Sequence, residues 1–455
     1  SIANGTIHPI MCGSSTKNIG VKELLDFIVD FLPSPVERPQ TEATRPGTDG
    51  AERFAVKLDP NGPFSGFVFK TLSDPFLGQL SIFKVFSGKL QSNGGFYNVN
   101  RSVKERIGQI FTLRGKQQIP METVQAGDIA CVSKVKDTRT GDSICDDKNQ
   151  VKFEDINFPE PAIAFSLKPR TRSDEDKVGS ALHKLTAEDP TFKVSRDEQT
   201  KEVIANGMGD LHISMMINRM RMRYGVNVDL GTPKVAYKET ITGKGDAHYR
   251  HKKQSGGAGQ FAEVWMRIEP LERGKGFEFV DEVAGGAIPR PFVVSCEKGI
   301  KTALQSGSLA GFPVVDVRAI VYDGKTHPVD SKDIAFQTAA KHAFRESLLK
   351  AKPVILEPIM DVDIVVPDMF VGDIAGSLNS RRGRVMGMEP GEDSQVIKAK
   401  MPLGEMYKYV NELKSITGGR GTYTMTFSHY DVVPSNAAQV IIEKAKLNKK
   451  EEVEE

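Results

Sequence analysis

Cysteine is scarce in this sequence, long apolar runs are absent, and each shortage closes off a class of answers. Four cysteines stand among 455 residues, Cys12, Cys131, Cys145 and Cys296, far apart and without a CxxC pair. That spacing excludes a disulfide framework or a zinc ribbon and fits a reducing cytoplasm. No apolar stretch approaches the roughly 20 residues that a membrane-spanning helix needs. No basic and apolar leader opens the chain, and an initiator Met is missing at Ser1, which reads as a fragment of a longer protein. A surplus of one charge is also lacking. The net charge is only +2, so any nucleic-acid binding must come from a local patch.

Catalytic signatures are missing as well. There is no HExxH, no GxSxG and no Gly-x-x-x-x-Gly-Lys-Ser/Thr phosphate loop. Asp323-Gly324-Lys325-Thr326 imitates the end of a phosphate loop, but Ala319 stands at the first glycine and His327-Pro328 cannot open the following helix. The histidines have no metal-ligand spacing, so no metal site and no catalytic residue is expected. His183 and His212 fall on predicted helices and read as structural.

What is present is a chain with 39% apolar and 26% charged residues, long enough for three or four globular domains. Its most distinctive stretch is His248–Ala262. Arg250, His251, Lys252 and Lys253 run into Gln254-Ser255-Gly256-Gly257-Ala258-Gly259-Gln260. Cations attract phosphate, and a glycine backbone can lie against a polynucleotide. The alternating residues Phe261–Ile268 that follow predict a strand, so the stretch reads as a basic hairpin tip. Residues 232–260 carry six Lys or Arg against Glu239 and Asp246.

Taken in order, Ile7–Cys12 predicts a short strand, 13–20 a small-residue loop and Val21–Leu32 a helix. One such unit cannot cover both faces of a sheet, so residues 1–40 read as the end of a larger α/β domain. Residues 41–60 read as linker. Residues 61–150 hold closely spaced strands and turn signals, which suggests a small β-barrel. Residues 158–231 read βαββαβ, with Ser173-x-x-Asp176 as a capping box and Met215, Met216 and Met220 as core filler. Residues 232–352 carry the tip, two long helices (291–306 and 334–351) and a loop at 326–333. Residues 353–432 repeat the βαββαβ order, with one helix at Met406–Ile416. Residues 433–455 form a charged tail.

Several stretches together resemble the elongation factor G family of ribosomal translocases. They include Asp74-Pro75-Phe76-Leu77-Gly78, Gln125-Ala126-Gly127-Asp128, Gly207-Met208-Gly209-Asp210-Leu211-His212, Gln254–Gln260, Leu309–Asp316, Arg381-Arg382-Gly383 and Phe427-Ser428-His429-Tyr430. The likeness runs over residues 7–441. It implies a multidomain α+β fold: a β-barrel, then two ferredoxin-like βαββαβ domains flanking an α+β domain like ribosomal protein S5. It implies the ribosome (both subunits), tRNA and mRNA as partners, a monomer, and a cytoplasmic location. GTP and magnesium belong to the full-length protein. This chain keeps only a remnant of the nucleotide loop (Ser14, Ser15, Lys17, with Ser15 where the family usually has Ala) and implies no cofactor of its own.

By the same resemblance the decoding-centre tip comprises His251, Lys252, Lys253, Gln254, Ser255, Gly256, Gly257, Gly259 and Gln260, with His327, Asp330 and Ser331 from the neighbouring loop. Arg381, Arg382 and Arg384 are expected to face ribosomal RNA. Three positions depart from the family: Ala258 for Arg, Ala262 for Gly, and Pro328 for an acidic residue. They keep open a paralogue that serves ribosome recycling or ribosomal protection. A GTPase-less RNA-binding protein is the remaining alternative.

Overall fold

The structure, a computed structural model, describes every residue except 1, 3, 39, 47–52, 75–77, 116, 254–258, 392 and 455, and the side chains of all but 448–454 among the rest. The chain divides into two compact units. The first holds Ser1–Pro161, Leu167–Ser195 and Ala205–Leu230; the second holds Ala162–Ser166, Arg196–Ile204 and Gly231–Glu455.

In the first unit the helix Val21–Phe31 forms as its periodicity predicts, but none of its residues is buried. Leu25, Val29 and Phe31 stay exposed. Residues 7–12 do not form the expected strand. A strand needs a neighbour for its amide and carbonyl groups, and Ile10 there is 93% exposed. The expected linker is partly ordered: Thr41–Thr44 pairs antiparallel with Arg53–Val56 and with Lys152–Phe153, forming a three-stranded sheet. Ala43 and Phe153 are buried beneath it and anchor the small sheet.

Residues 65–145 build an eight-stranded antiparallel sheet. Its path runs Val103–Arg106, Gly95–Asn98, Ser143–Cys145, Ser65–Asp74, Gly78–Ser87, Ile129–Ser133, Ile110–Arg114, Gln117–Met121. Alternating residues turn Val68, Phe83, Val85, Ile110 and Ile144 into one apolar core. Of the motif Asp74–Gly78, residues 75–77 lie outside the described residues.

Residues 163–231 follow the order strand, helix, strand, strand, helix, strand. The first helix, Arg172–Glu188, starts two residues earlier than its predicted box. Thr171 is the N-cap: its Oγ1 accepts from the Asp174 amide at 3.2 Å and donates to Asp174 Oδ2 at 2.7 Å. Asp174 Oδ1 also accepts from the Asn227 amide at 2.9 Å, which ties the helix start to the last strand. Thr171-x-x-Asp174 outcompetes Ser173-x-x-Asp176 because only Asp174 finds this second partner. Met216 and Met220 fill the core, but Met215 is half exposed on the outer face of its helix. His212 is structural: Nδ1 accepts from the Met208 amide at 3.1 Å and Nε2 lies 3.2 Å from Asp189.

In the second unit, the sheet Gly245–Lys253, Gln260–Pro270, Val317–Lys325, Phe277–Asp281 carries two helices, Arg290–Leu304 and Asp333–Lys350, on its apolar face. A Cβ at Gly299 would come within 2.2 Å of the Gln337 carbonyl, so only glycine lets the two helices approach this closely. The last module orders its strands Thr422–Val432, Pro353–Val366, Gln395–Pro402, Arg384–Pro390. The preceding strand Lys238–Ile241 is hydrogen-bonded to the start of Pro353–Val366, in the register Lys238↔Leu356 to Ile241↔Pro353. The expected helix Met406–Ile416 is two shorter pieces, Leu403–Met406 and Tyr409–Ile416.

Candidate nucleic-acid interface

The basic stretch is a hairpin arm. Gly245–Lys253 and Gln260–Pro270 pair residue for residue from Gly245↔Ile268 to Lys253↔Gln260. The second strand turns Ala262, Val264, Met266 and Ile268 into the core at every other position, and all four are fully covered. Ala262 is therefore a packing residue. The cations Lys252 and Lys253 are exposed at the far end of the arm. Of the predicted tip, Gln254, Ser255, Gly256, Gly257 and Ala258 lie outside the described residues.

The loop after Val317–Lys325 folds back onto this end. The Phe261 amide donates to the Asp330 carbonyl at 2.9 Å, and Ser331 Oγ donates to the Phe261 carbonyl at 2.9 Å. Within the loop, the His327 amide donates to Ser331 Oγ at 2.8 Å and the Ser331 amide to the His327 carbonyl at 3.2 Å. A Cβ on Gly259 would fall 2.6 Å from Asp330 Oδ1, so the Asp330 carboxylate packs directly against the bare backbone there. The structure thus brings Gly259, Gln260, His327, Asp330 and Ser331 to one place, as described residues of the expected tip.

The clasp fixes a proton. His327 Nδ1 accepts from the amides of Val329 (3.3 Å) and Asp330 (3.2 Å), so the neutral ring carries its hydrogen on Nε2. The side chain is 49% exposed, which leaves that donor available to a ligand. Arg250 lies over the Phe261 ring at 5.4 Å, and the Phe261 and His327 rings stand 6.0 Å apart. His251 Nε2 meets Gln260 Oε1 at 3.0 Å across the hairpin. Behind them His342 stacks on Tyr249 at 4.6 Å; burial and then the charges of Arg345 and Lys341 push its pKa down. Phe261 and Trp265, stacked on His248 at 5.0 Å, were not singled out by the sequence; only their alternation beside a basic run signals them.

The other predicted sites differ. Ser14 and Ile19 exchange backbone hydrogen bonds at 2.9 and 3.0 Å, and the Lys17 amide donates to Ser14 Oγ at 3.3 Å. Ser14, Ser15 and Lys17 therefore share one small turn ahead of the helix Val21–Phe31. Arg381 and Arg382 have their guanidinium groups engaged inside the module. Arg381 binds Glu412 and donates to the Glu405 carbonyl at 3.2 Å. Arg382, at φ 58°, grips buried Glu357 and reaches Glu405 at 3.2 Å. Arg384 is exposed. Among the described residues no group of three or more His, Cys, Asp or Glu could hold a metal ion.

A second feature escaped the sequence reading. Glu239, 1% exposed, accepts the amides of Leu309 (2.9 Å), Ala310 (2.8 Å), Gly311 (2.8 Å) and Phe312 (3.1 Å). It ties the strand that joins the last module to the loop after Arg290–Leu304.

Four family models match in succession: elongation factor G domain 2 over residues 63–147, domain III over 158–232, domain IV over 233–352, and the elongation factor G C-terminus over 354–441. The hairpin arm and its clasp fall within the domain IV match. Among solved structures, a protein from Thermus thermophilus is 36% identical with a TM-score of 0.72; the match covers 97% of this chain and 64% of that one. Four successive matches to one family, together with a solved relative along nearly the whole sequence, lead to one conclusion: this chain belongs to the elongation factor G family.

Proposed function

We propose that the chain is the ribosome-engaging part of a translation factor that promotes GTP-dependent movement of tRNA and mRNA. In this reading residues 1–40 end a GTPase domain, 61–150 form a β-barrel, 158–231 and 353–432 are ferredoxin-like, and 232–352 form the S5-like domain that enters the decoding centre. The factor works as a cytoplasmic monomer, with GTP and magnesium held by the GTPase domain.

The observation that carries the reading is the clasped end of the hairpin arm. It offers Arg250, Lys252 and Lys253 to phosphates, and the Nε2–H of His327 to a 2′-hydroxyl or phosphate oxygen. None of these groups is a nucleophile or a base toward substrate. The arm acts by occupying the space beside paired RNA strands, so tRNA cannot return once it has moved. Its rigidity comes from a strand pair with one face in the core.

The test is His327→Asn in the full-length factor. The Asn oxygen takes over the Nδ1 acceptor position and keeps the loop closed, while the outward donor is lost. Translocation should slow with no change in melting temperature. Unchanged translocation both in this variant and in Lys252→Gln/Lys253→Gln would remove the arm from the mechanism. A second reading, a paralogue for recycling or ribosomal protection, draws support from Pro328, which stiffens the loop where the resemblance expects an acid. Support of polypeptide synthesis by the full-length protein, against subunit splitting alone, separates the two.

A further inference from the structure

The first unit contains a cavity far in sequence from the hairpin arm. Its volume is about 580 Å³, within the range of small-molecule sites. The strand Arg53–Val56, the connector at 57–63 and the turn at 146–151 form its walls. Ser65 and Ser87, opposite one another on adjacent strands, form its floor.

Two properties mark this cavity out. The first is charge. Arg45, Lys57 and Lys148 line it together with Asp59 and Asp147. Asp147 is paired with Lys104 at 2.6 Å, while Asp59 Oδ1 accepts the Asn61 amide at 2.8 Å and keeps its charge, so cations outnumber acids in the lining by three to two. Lys57 and Lys148 are exposed at the rim. The second is Ser65. It is 2% exposed, and its hydroxyl has no hydrogen-bond partner among the described residues. Buried polar groups are nearly always paired, so an orphan on the floor of a cation-lined cavity points to a partner that arrives with a ligand. Phe54 and Val151 supply apolar wall.

We propose that this cavity binds an organic phosphate of nucleotide size. Lys57 and Lys148 hold the phosphate, Ser65 bonds a sugar hydroxyl, and the base lies against Phe54 and Val151. A free nucleotide and one nucleotide unit of an RNA strand present the same chemistry.

Calorimetric titration of the 455-residue chain with adenosine 5′-monophosphate, adenosine and hexauridylate tests this. All titrations use an Arg250→Gln/Lys252→Gln/Lys253→Gln/His327→Asn background, which removes the phosphate-binding groups of the hairpin arm. Saturable binding of the monophosphate is expected, with adenosine at least about tenfold weaker, since charge-assisted bonds to phosphate are lost. Lys57→Gln/Lys148→Gln should weaken binding at least about tenfold, Lys148→Arg should retain it, and Ser65→Ala should weaken it about threefold or more. Melting temperatures of the rim variants should stay at the parent value, because both lysines are exposed. Binding of hexauridylate alone, still lost in the lysine double variant, assigns the site to an RNA strand. No saturable binding of either phosphate probe, equal binding of adenosine, or indifference to the lysine double variant overturns the proposal.

Discussion

Glu239→Gln tests whether the caged carboxylate holds the second unit together. Three amides converge on Oε1 at 2.8 to 3.1 Å, and one reaches Oε2 at 2.9 Å. A glutamine can point its oxygen at the three. Its NH2 group then faces the Leu309 amide, donor against donor. One buried donor left unpaired costs about 1–3 kcal/mol, and three charge-assisted bonds reduced to neutral ones lose a few tenths or more each. The expected loss is about 3 kcal/mol, a large share of the roughly 5–15 kcal/mol that holds a typical domain folded. Urea unfolding followed by fluorescence suits the measurement, because the single tryptophan, Trp265, sits in the neighbouring hairpin. Glu239→Ala should lose a comparable amount, since it orphans all four donors but leaves room for water. A Glu239→Gln midpoint within about 0.5 kcal/mol of the parent would refute the cage as a stabilising device.

Arg382→Ala leaves buried Glu357 without its main partner and should cost about 3 kcal/mol, whereas exposed Arg384→Ala should leave stability within about 0.5 kcal/mol and lower ribosome co-sedimentation. Asp316→Gly relieves a φ of 59° but removes acceptors for the Gly274 and Gly276 amides at 3.0 and 2.9 Å; thermal melts should show a net loss of about 2 kcal/mol. The Asn227 amide and the Thr171 hydroxyl hold the Asp174 carboxyl below its ordinary range. Its contribution is therefore complete above the unfolded value of about 3.9 and lost as pH falls through the lower folded value. Asp174→Asn should make the acid unfolding curve shallower in that window, and carbon-detected NMR should place the parent's midpoint below about 3.9. Burial pushes the Cys131 thiol up to about 11 and the Cys296 thiol up to about 12, and raises Cys145, while Cys12 is exposed. A disulfide exchange reagent at pH ~8 should find one fast thiol in the native chain and four after denaturation.

Periodicity made the long helices legible. Val21, Leu24, Leu25, Ile28 and Phe31 mark one, and the two helices of the arm-bearing domain were placed to within a few residues of Arg290–Leu304 and Asp333–Lys350. Local pattern failed where distant partners decide. Residues 7–12 have strand composition but find no neighbour, and the supposed linker finds one in Lys152–Phe153, more than a hundred residues away. The helix at 406–416 breaks between Met406 and Tyr409, which no Gly or Pro announces. Within the site, the basic arm and the His327 loop were legible as residue types. Their clasp was not, because it rests on backbone groups of Phe261 and Asp330. Glu239 gave no signal at all: its partners lie some seventy residues on and are bare amides. Arginines at 381 and 382 look like an RNA patch in one dimension; only in space do the opposing carboxylates show.

The strand Lys238–Ile241 gives the molecule a mechanical property. Its four rungs with Pro353–Val366 seat a strand of the arm-bearing domain in the last module's sheet, while the arm keeps a sheet of its own. A push on the hairpin end therefore loads those four rungs, and antiparallel rungs pulled along the strand axis must rupture nearly together. Thrust delivered at one end passes into the other as through a lever with a stiff joint, with little lost to bending at a flexible tether.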